Sequence, residues 1–136
     1  MPTTGELALQ AFDAWRRGDL EWAVRHSADD VVIAQPAGLP DARTYHGHQG
    51  VRDAIEDWPQ QWEAFDISRV DLVEETDDAA ILYTKHHLQA RGGLEFDLDV
   101  FNLFTYEDET ATSWEMFMTL DEARSRLRDR SAASGQ

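Results

Sequence analysis

The segment that decides the fold is AAILYTKHHLQARGGLEFDLDVFNLFTY, residues 79–106, in which two apolar-rich stretches flank Gly92-Gly93. Both stretches are rich in the β-branched and aromatic residues that strands favour. Adjacent glycines supply the positive φ angles that tight hairpin turns require. The segment therefore predicts two antiparallel strands, 79–89 and 94–106, joined by a short turn at the glycines.

The length of this turn decides which residues lie opposite each other. A two-residue turn places His86 opposite Asp99, and a four-residue turn places His86 opposite Asp97. Side chains alternate between the two faces of a strand, so either turn puts the imidazole and both carboxylates on one face, whereas a three-residue turn would separate them. We predict His86 and Asp99 as the catalytic residues, and the alternative pairing of His86 with Asp97 stays open.

A second hairpin, turning at Asp108-Glu109, adds a third strand to the same face. The predicted face is then an aromatic and Met-rich wall that carries one His and two carboxylates. A carboxylate on an apolar wall needs a partner, or its pKa rises until it is neutral. One interpretation is a general acid–base site, and the other is a structural His–Asp pair on a solvated face. The candidate ligand-binding residues are Trp15 from the first helix, with Thr84, Asp97, Phe101, Trp114, Met116 and Met118.

Outside these hairpins the chain predicts helices first and strands afterwards. Apolar residues recur at helical spacing over 4–17, and Gly18 ends that helix. This order predicts a single α+β domain over 1–130, in which the N-terminal helices pack against one face of a curved antiparallel sheet. The tail, 131–136, is predicted to be disordered. The other predicted elements are a short helix after Asp19, a helix from about 49–51 to Pro59, strands at 31–33, 67–75 and 111–119, and a terminal helix at 121–128.

Composition excludes several classes of function. The 136 residues carry a net charge of −15 and no cysteine, which disfavours nucleic acid and anionic membranes as partners and removes thiol chemistry. No apolar run is long enough to span a membrane and no secretory signal is visible, so we expect a cytoplasmic protein. No glycine-rich nucleotide motif and no convincing metal-ligand spacing occurs, so no cofactor and no metal are expected.

Three stretches resemble the SnoaL-like and ketosteroid-isomerase-like branch of the nuclear-transport-factor-2-like superfamily. They are AFDAWRRGDLEWAVRHSADDVVIAQPAG at 11–38, YHGHQGVRDAIEDW at 45–58, and DLDVFNLFTYEDETATSWEMFMTLDEA at 97–123. The resemblance implies a cone-shaped α+β barrel with a cavity between the helices and the concave face. It also implies that dimers through the sheet are common. The family hosts isomerases, cyclases, dehydratases and non-catalytic binders, so the resemblance leaves the reaction open.

Comparison with ketosteroid isomerase implies roles for individual positions. Asp99 resembles that enzyme's neutral acid, whereas Gln35 and Ala11 stand where its Asp base and its Tyr would be. The resemblance adds Gln35 to the candidate ligand-binding residues, because an amide can hold a carbonyl group. The residues that limonene epoxide hydrolase uses are absent from the similar positions 86, 88 and 116, although that comparison also implies that His86 faces the cavity.

Two functions of different class follow. The first is a cofactor-independent isomerase, cyclase or dehydratase that uses acid–base chemistry on a small apolar ring-containing compound. The second is a non-catalytic module that binds a hydrophobic ligand, or fills its cavity with its own side chains, and dimerises. The dimer would form through an outer face carrying Phe96, Leu98, Val100 and Phe117. A homodimer and a small hydrophobic molecule are the partners expected.

Overall fold

The structure, a computed structural model, describes residues 2–39 and 42–134, the last four by their backbone alone. The helices are α1 (Thr4–Arg17), α2 (Leu20–Arg25), α3 (Gly47–Gln60) and α4 (Leu120–Ser134). The strands are β1 (Ser27–Ala34), β2 (Thr44–His46), β3 (Ala64–Glu75), β4 (Ala79–Gln89), β5 (Glu95–Glu107) and β6 (Thr110–Phe117). They form one open, curled sheet in the order β2-β1-β6-β5-β4-β3. The α+β class is confirmed, but the sheet is mixed, because β1 and β6 run parallel while the other neighbours are antiparallel.

The two faces of the sheet bury different clusters. On the inner face, α1 and α3 pack over strand residues such as Leu82 and Phe104, which confirms that N-terminal helices cover the sheet. On the outer face, α4 packs its Leu127 against Ile81 and Leu103. Because side chains alternate along β4 and β5, even-numbered residues of these strands point inward and odd-numbered ones outward.

Helix α1 is defined at both ends by its sequence. Thr3 and Glu6 form a reciprocal capping box, and Gly18 ends the helix with a φ of 69°, a value that glycine adopts without strain. The buried stripe of the helix includes Leu7, Ala8 and Phe12. Trp15 continues this stripe by one further turn and therefore reaches the inner face of the sheet.

Helix α3 approaches β2 closely because it has no side chain at Gly50. A Cβ at this position would lie 2.9 Å from the carbonyl carbon of Tyr45 and 3.0 Å from its Cβ. The close approach fixes the helix against the sheet and so places Trp58, near the end of the helix, over the inner face.

Replacing Gly50 with alanine is expected to lower the free energy of unfolding by about 1–2 kcal/mol, because overpacking against backbone outweighs the better helix propensity of alanine. Denaturant unfolding followed by tryptophan fluorescence measures this change. Gly38→Ala is the matched control, since its added Cβ would lie at an ordinary 3.7 Å from Cγ of Met118. A Gly50→Ala variant more stable than the wild-type protein would contradict the close approach of α3 to β2 at Gly50.

The turn between β4 and β5 has three residues, which corrects the predicted register. The backbone N–H of Ala90 donates to the carbonyl of Leu94, so Arg91, Gly92 and Gly93 form the turn. Gly92 and Gly93 have φ angles of 100° and 95°, which explains the glycine pair. As a result Leu98, and neither Asp97 nor Asp99, lies opposite His86.

The hairpin between β5 and β6 contains an irregularity that changes the register along its length. Near the turn Tyr106 pairs with Ala111 as predicted, but the register shifts between Thr105 and Tyr106. Beyond this shift Trp114 lies opposite Phe104, and not opposite Leu103 as predicted. Across this shift β6 contains one residue more than β5. Trp114 thus lies on the inner face as predicted, although its partner on β5 differs from the predicted one.

The outer face differs from the predicted dimer surface. Leu98 and Val100 are buried on the inner face, and Phe96 packs in the same cluster. Only Phe117 of the four predicted residues lies outside, where it packs against the α4 cluster. The homodimer stays a prediction, but three of its four proposed contact residues are wrong. Helix α4 continues to Ser134, within the segment predicted to be a disordered tail, and 135–136 lie outside the described residues.

Candidate active site

A chain of buried hydrogen bonds crosses the inner face from β6 to β4. The indole Nε1 of Trp114 donates to Oδ1 of Asn102 over 2.9 Å. Nδ2 of Asn102 donates to Oγ1 of Thr84 over 3.0 Å and to the carbonyl of Leu82 over 3.0 Å. Oγ1 of Thr84 lies 2.9 Å from Nε2 of His86. All four side chains are more than nine-tenths buried, so the chain holds the imidazole rigidly.

This chain of hydrogen bonds favours one tautomer of His86. The hydroxyl of Thr84 accepts a hydrogen bond from Asn102, and among the described contacts only Nε2 of His86 can accept the hydroxyl proton. We therefore assign Thr84 as the donor and Nε2 of His86 as the acceptor. With Nε2 accepting, the neutral ring carries its proton on Nδ1. That Nδ1 is buried and has no hydrogen-bond partner in the described part of the chain. The site therefore holds an unused donor in a known orientation.

The imidazole of His86 is uncharged at neutral pH. Burial lowers the pKa of His86 from 6.5 to about 4, because the charged form loses its hydration. The ring packs edge-on against Phe12 and Trp58, with ring centroids 6.5 Å and 5.8 Å away. A neutral imidazole donates a hydrogen bond without bringing a charge into the apolar interior. The local chemistry is thus hydrogen-bond donation to an acceptor atom.

A small cavity of about 20 Å³ lies beside His86. A volume of this size holds about one water molecule, so large aromatic and Met side chains fill most of the space. Nε1 of Trp58 is a second buried donor with no partner among the described residues. His86 is the one ionisable side chain in the described lining, which consists of Phe12, Trp15, Pro36, Leu39, Trp58, His86, Leu98, Val100, Asn102, Trp114 and Met116.

Several predicted site residues meet at this cavity. His86, Trp15, Trp114 and Met116 line it, and Thr84 bonds the imidazole from the adjacent inner position. Met118 packs against the same apolar cluster. These residues lie on the inner face as predicted, and their part in binding stays a prediction.

The two predicted carboxylates point away from His86, so the predicted His86–Asp99 pair is wrong. Oδ1 of Asp99 accepts from the hydroxyl of Tyr83 over 2.6 Å on the outer face. Oδ1 of Asp97 lies 2.8 Å from Nδ1 of His87, and this contact lowers the pKa of Asp97 and raises that of His87. The three-residue turn is the reason, because it reverses the inward and outward sides of β5 relative to β4.

Phe101 and Gln35 also lie outside the cavity. Phe101 packs at a tilt against Tyr83, with ring centroids 5.2 Å apart, on the outer face next to the α4 cluster. Gln35 follows β1 directly, and its amide oxygen accepts from the backbone N–H of Arg43 over 3.1 Å. Gln35 thus braces the loop before β2 and its amide is not aimed at His86.

The residues that the sequence analysis missed are Asn102, Trp58 and Phe12. Asn102 bonds both Trp114 and Thr84 in the hydrogen-bond chain. The sequence does carry a signal for it, because Asn102 is the one polar residue in the apolar run VFNLF at 100–104. A buried amide must be hydrogen-bonded, so its position predicts an inner-face network. Only the correct turn length places that network beside His86.

The comparisons with known proteins agree with this architecture. Residues 8–114 match the SnoaL-like domain family. A nuclear-transport-factor-2-like protein from Burkholderia thailandensis is 19% identical, with a TM-score of 0.75 over 91% of this chain and 98% of that chain. TerC, co-crystallised with polyporic acid, is 20% identical, with a TM-score of 0.69 over 88% of this chain and 94% of that one. SalBIII, an epoxide hydrolase/cyclase-like enzyme of pyran-ring formation in the polyether salinomycin, is 13% identical, with a TM-score of 0.65 over 85% and 90%.

These matches define the class of protein. The inner cavity beneath two N-terminal helices and the match over residues 8–114 show that the chain belongs to the SnoaL-like domain family, within the nuclear-transport-factor-2-like fold. No curated protein matches the sequence.

Two further features of the described residues bear on partners. None of their helices is both long and apolar enough to cross a membrane. Within 2–39 and 42–134, no three His, Cys, Asp or Glu side chains converge as a metal site would require.

Proposed function

We propose that the protein binds a small apolar ring compound through a carbonyl oxygen that accepts a hydrogen bond from Nδ1 of His86. We further propose that it acts as a cofactor-independent cyclase or isomerase by stabilising negative charge on that oxygen. The observation that carries the proposal is a neutral donor of fixed orientation, buried at an apolar cavity and without a partner among the described residues. Fixed donors aimed at a developing oxyanion are among the strongest sources of catalysis.

The carbonyl group is the best fit to the donors present. A buried donor without a partner costs about 1–3 kcal/mol, and a ligand oxygen removes that cost. His86 and Trp58 both offer such a donor at the cavity and neither offers an acceptor there. An oxygen that only accepts is therefore favoured over a group that must also donate.

No carboxylate takes part in the proposed reaction. Asp99, the predicted second catalytic residue, faces the outside, and the described cavity lining holds no acidic side chain. The proposed reaction therefore needs only polarisation of the carbonyl group by His86. The proton on the carbon next to the carbonyl passes to water. Enolisation is the simplest such step: the C–H electron pair forms the C=C bond, and the charge moves to the oxygen that His86 contacts.

A ligand reaches His86 through the position that Trp15 occupies. Trp15 is half-buried and borders both the His86 cavity and a surface cleft of about 240 Å³ at the end of α1. The ring centroids of Trp15 and Trp58 lie 5.9 Å apart at the boundary between the cleft and the cavity. Ligand pockets commonly enclose about 300–1,000 Å³, so binding requires Trp15 to move and join the cleft to the cavity.

The relatives support a ring-shaped ligand. TerC is co-crystallised with polyporic acid, and SalBIII is a cyclase-like enzyme of pyran-ring formation. The aromatic side chains that line the cavity here favour flat apolar rings.

The binding test uses 1-tetralone, an apolar bicyclic ketone, and tetralin, the same skeleton without oxygen. Titration followed by tryptophan fluorescence is expected to show that His86→Leu weakens 1-tetralone binding about tenfold, because the donor is lost. Tetralin affinity should stay unchanged. Asp99→Asn is the matched control and should bind both compounds as the wild-type protein does. Equal 1-tetralone affinity in His86→Leu and wild type would overturn the proposal.

Catalysis is tested separately by hydrogen–deuterium exchange at C2 of 1-tetralone in D₂O, followed by proton NMR. The wild-type protein is expected to accelerate exchange over buffer, and His86→Leu to remove the acceleration.

A non-catalytic binder is the second candidate. The volume of about 20 Å³ beside His86 and the absence of an acidic side chain from the described lining favour it. Binding of 1-tetralone that depends on His86 but brings no exchange above buffer identifies this second function.

A further inference from the structure

A second cavity of about 50 Å³ lies on the other side of Trp15 and Trp114. These two residues border both cavities, and their rings meet edge-on with centroids 5.5 Å apart, so they form the wall between them. Helices α1, α2 and α3 close the second cavity on one side, and β1, β5 and β6 close it on the other. Its lining is mainly apolar, with Leu7, Ala11, Val31, Ile33, Val51 and Ile55 among its residues.

Tyr106 supplies a buried polar group without a described partner to this cavity. The residue is 6% exposed and lines the cavity, and its hydroxyl has no hydrogen-bond partner within the described part of the chain. Burial raises the pKa of Tyr106, so the phenol keeps its proton. A buried polar group without a partner is rare in folded proteins, and it costs stability unless something binds to it.

The walls of the cavity favour an aromatic ring. Trp114 stacks on Phe104 at 5.0 Å on the sheet side, and Trp22 stacks on His26 at 4.0 Å on the helix side. Trp22 and His26 are only half-buried, so fewer neighbouring atoms hold this part of the wall in place. At about 50 Å³ the cavity has to widen even for a single ring, which disfavours any larger occupant.

Charge further restricts the occupant. The described lining contains no Lys or Arg, and Glu109 stands at the rim. With a net charge of −15 on the whole chain, an anionic ligand would find no counter-charge there. A neutral hydroxyl group needs no counter-charge and is not repelled by the negative charge of the chain. It can both donate to and accept from the Tyr106 hydroxyl.

We propose that this cavity is a second binding site, separate from the His86 cavity, for an uncharged single-ring aromatic compound with one hydroxyl group, which bonds the Tyr106 hydroxyl. The site is independent of the function proposed for His86. It would hold a small phenol as a second substrate or an effector.

The test compares para-cresol with toluene, which has the same ring and methyl group but no hydroxyl. Two-dimensional ¹H–¹⁵N NMR of the indole groups reports the location, because Trp22 borders only the second cavity and Trp58 only the first of the two. Para-cresol is expected to shift the Trp22 indole signal to saturation and to leave the Trp58 signal in place. Tyr106→Phe should weaken para-cresol binding about threefold to tenfold and leave toluene binding unchanged.

His86→Leu serves as the matched control and should bind para-cresol like the wild-type protein. This keeps the two sites distinguishable, because a failure of the 1-tetralone test leaves the para-cresol result unaffected. Equal para-cresol affinity in Tyr106→Phe and wild type would overturn the proposal. So would saturable shifts at Trp58 in place of Trp22, or no saturable binding up to the solubility of para-cresol.

Discussion

Acidification from pH 7 to pH 4 is expected to remove about 3 kcal/mol more unfolding free energy from the wild-type protein than from a His86→Leu variant. The pKa of His86 is about 4 in the folded protein against 6.5 for a solvated histidine. Between these values the unfolded chain binds a proton that the folded protein does not. Stability from this group is thus complete above pH 6.5 and is lost as the pH falls towards 4. Urea unfolding at a series of pH values measures the difference.

His87 provides the control for this pH dependence, because it is adjacent in sequence but lies on the outer face. Its hydrogen bonds to Asp97 and Glu95 raise the pKa of His87, so its contribution has the opposite sign. That contribution is present below pH 6.5 and is lost as the pH rises through the raised pKa. His87→Ala should therefore keep the acid-induced loss of the wild-type protein. Parallel stability curves for wild type and His86→Leu would show that His86 is not buried as described.

Replacing Asn102 with leucine is expected to lower the free energy of unfolding by about 2–4 kcal/mol, because it leaves buried partners unsatisfied. The substitution removes the acceptor of Trp114 Nε1 and the donor to Thr84. Chemical denaturation measures the loss. The ¹⁵N shifts of the His86 ring should change as well, since the freed Thr84 hydroxyl no longer has to donate to Nε2.

Asp99→Asn is the matched control for Asn102→Leu. Like Asn102→Leu, it replaces one polar side chain on β5. The side chain of Asp99, however, is exposed and bonds only Tyr83 among the described residues. Its effect on stability should stay within about 0.5–1 kcal/mol. An Asn102→Leu variant as stable as the wild-type protein, with unchanged His86 ring shifts, would refute the role of the hydrogen-bond chain.

The sequence predicts the elements of this fold better than their pairing. The capping residues and apolar spacing of α1 predict both its ends and its buried side, because these signals are local. The register of β4 and β5 depends on how many residues the turn contains, and Gly92-Gly93 is compatible with two, three or four. That one undetermined number placed Asp97, Asp99 and Phe101 on the wrong face.

The candidate site was predicted in part for the same physical reason. His86 and Thr84 share a strand, so their common face follows from alternation alone. Trp114 and Met116 lie on the predicted face, but only because the register shifts after Thr105, and no residue pattern in the sequence predicts that shift. Asn102 and Trp58 reach the cavity through strand pairing and helix docking, which are tertiary effects.

The three-residue turn has a consequence for how proteins of this shape diverge. Adding or removing one residue between Ala90 and Leu94 would invert β5, so that its acidic positions would face the interior and its apolar ones the solvent. A change of one residue in loop length would thus change the inner face of β5 from apolar to acidic. A change of mechanism would then need no substitution at any residue that a ligand touches.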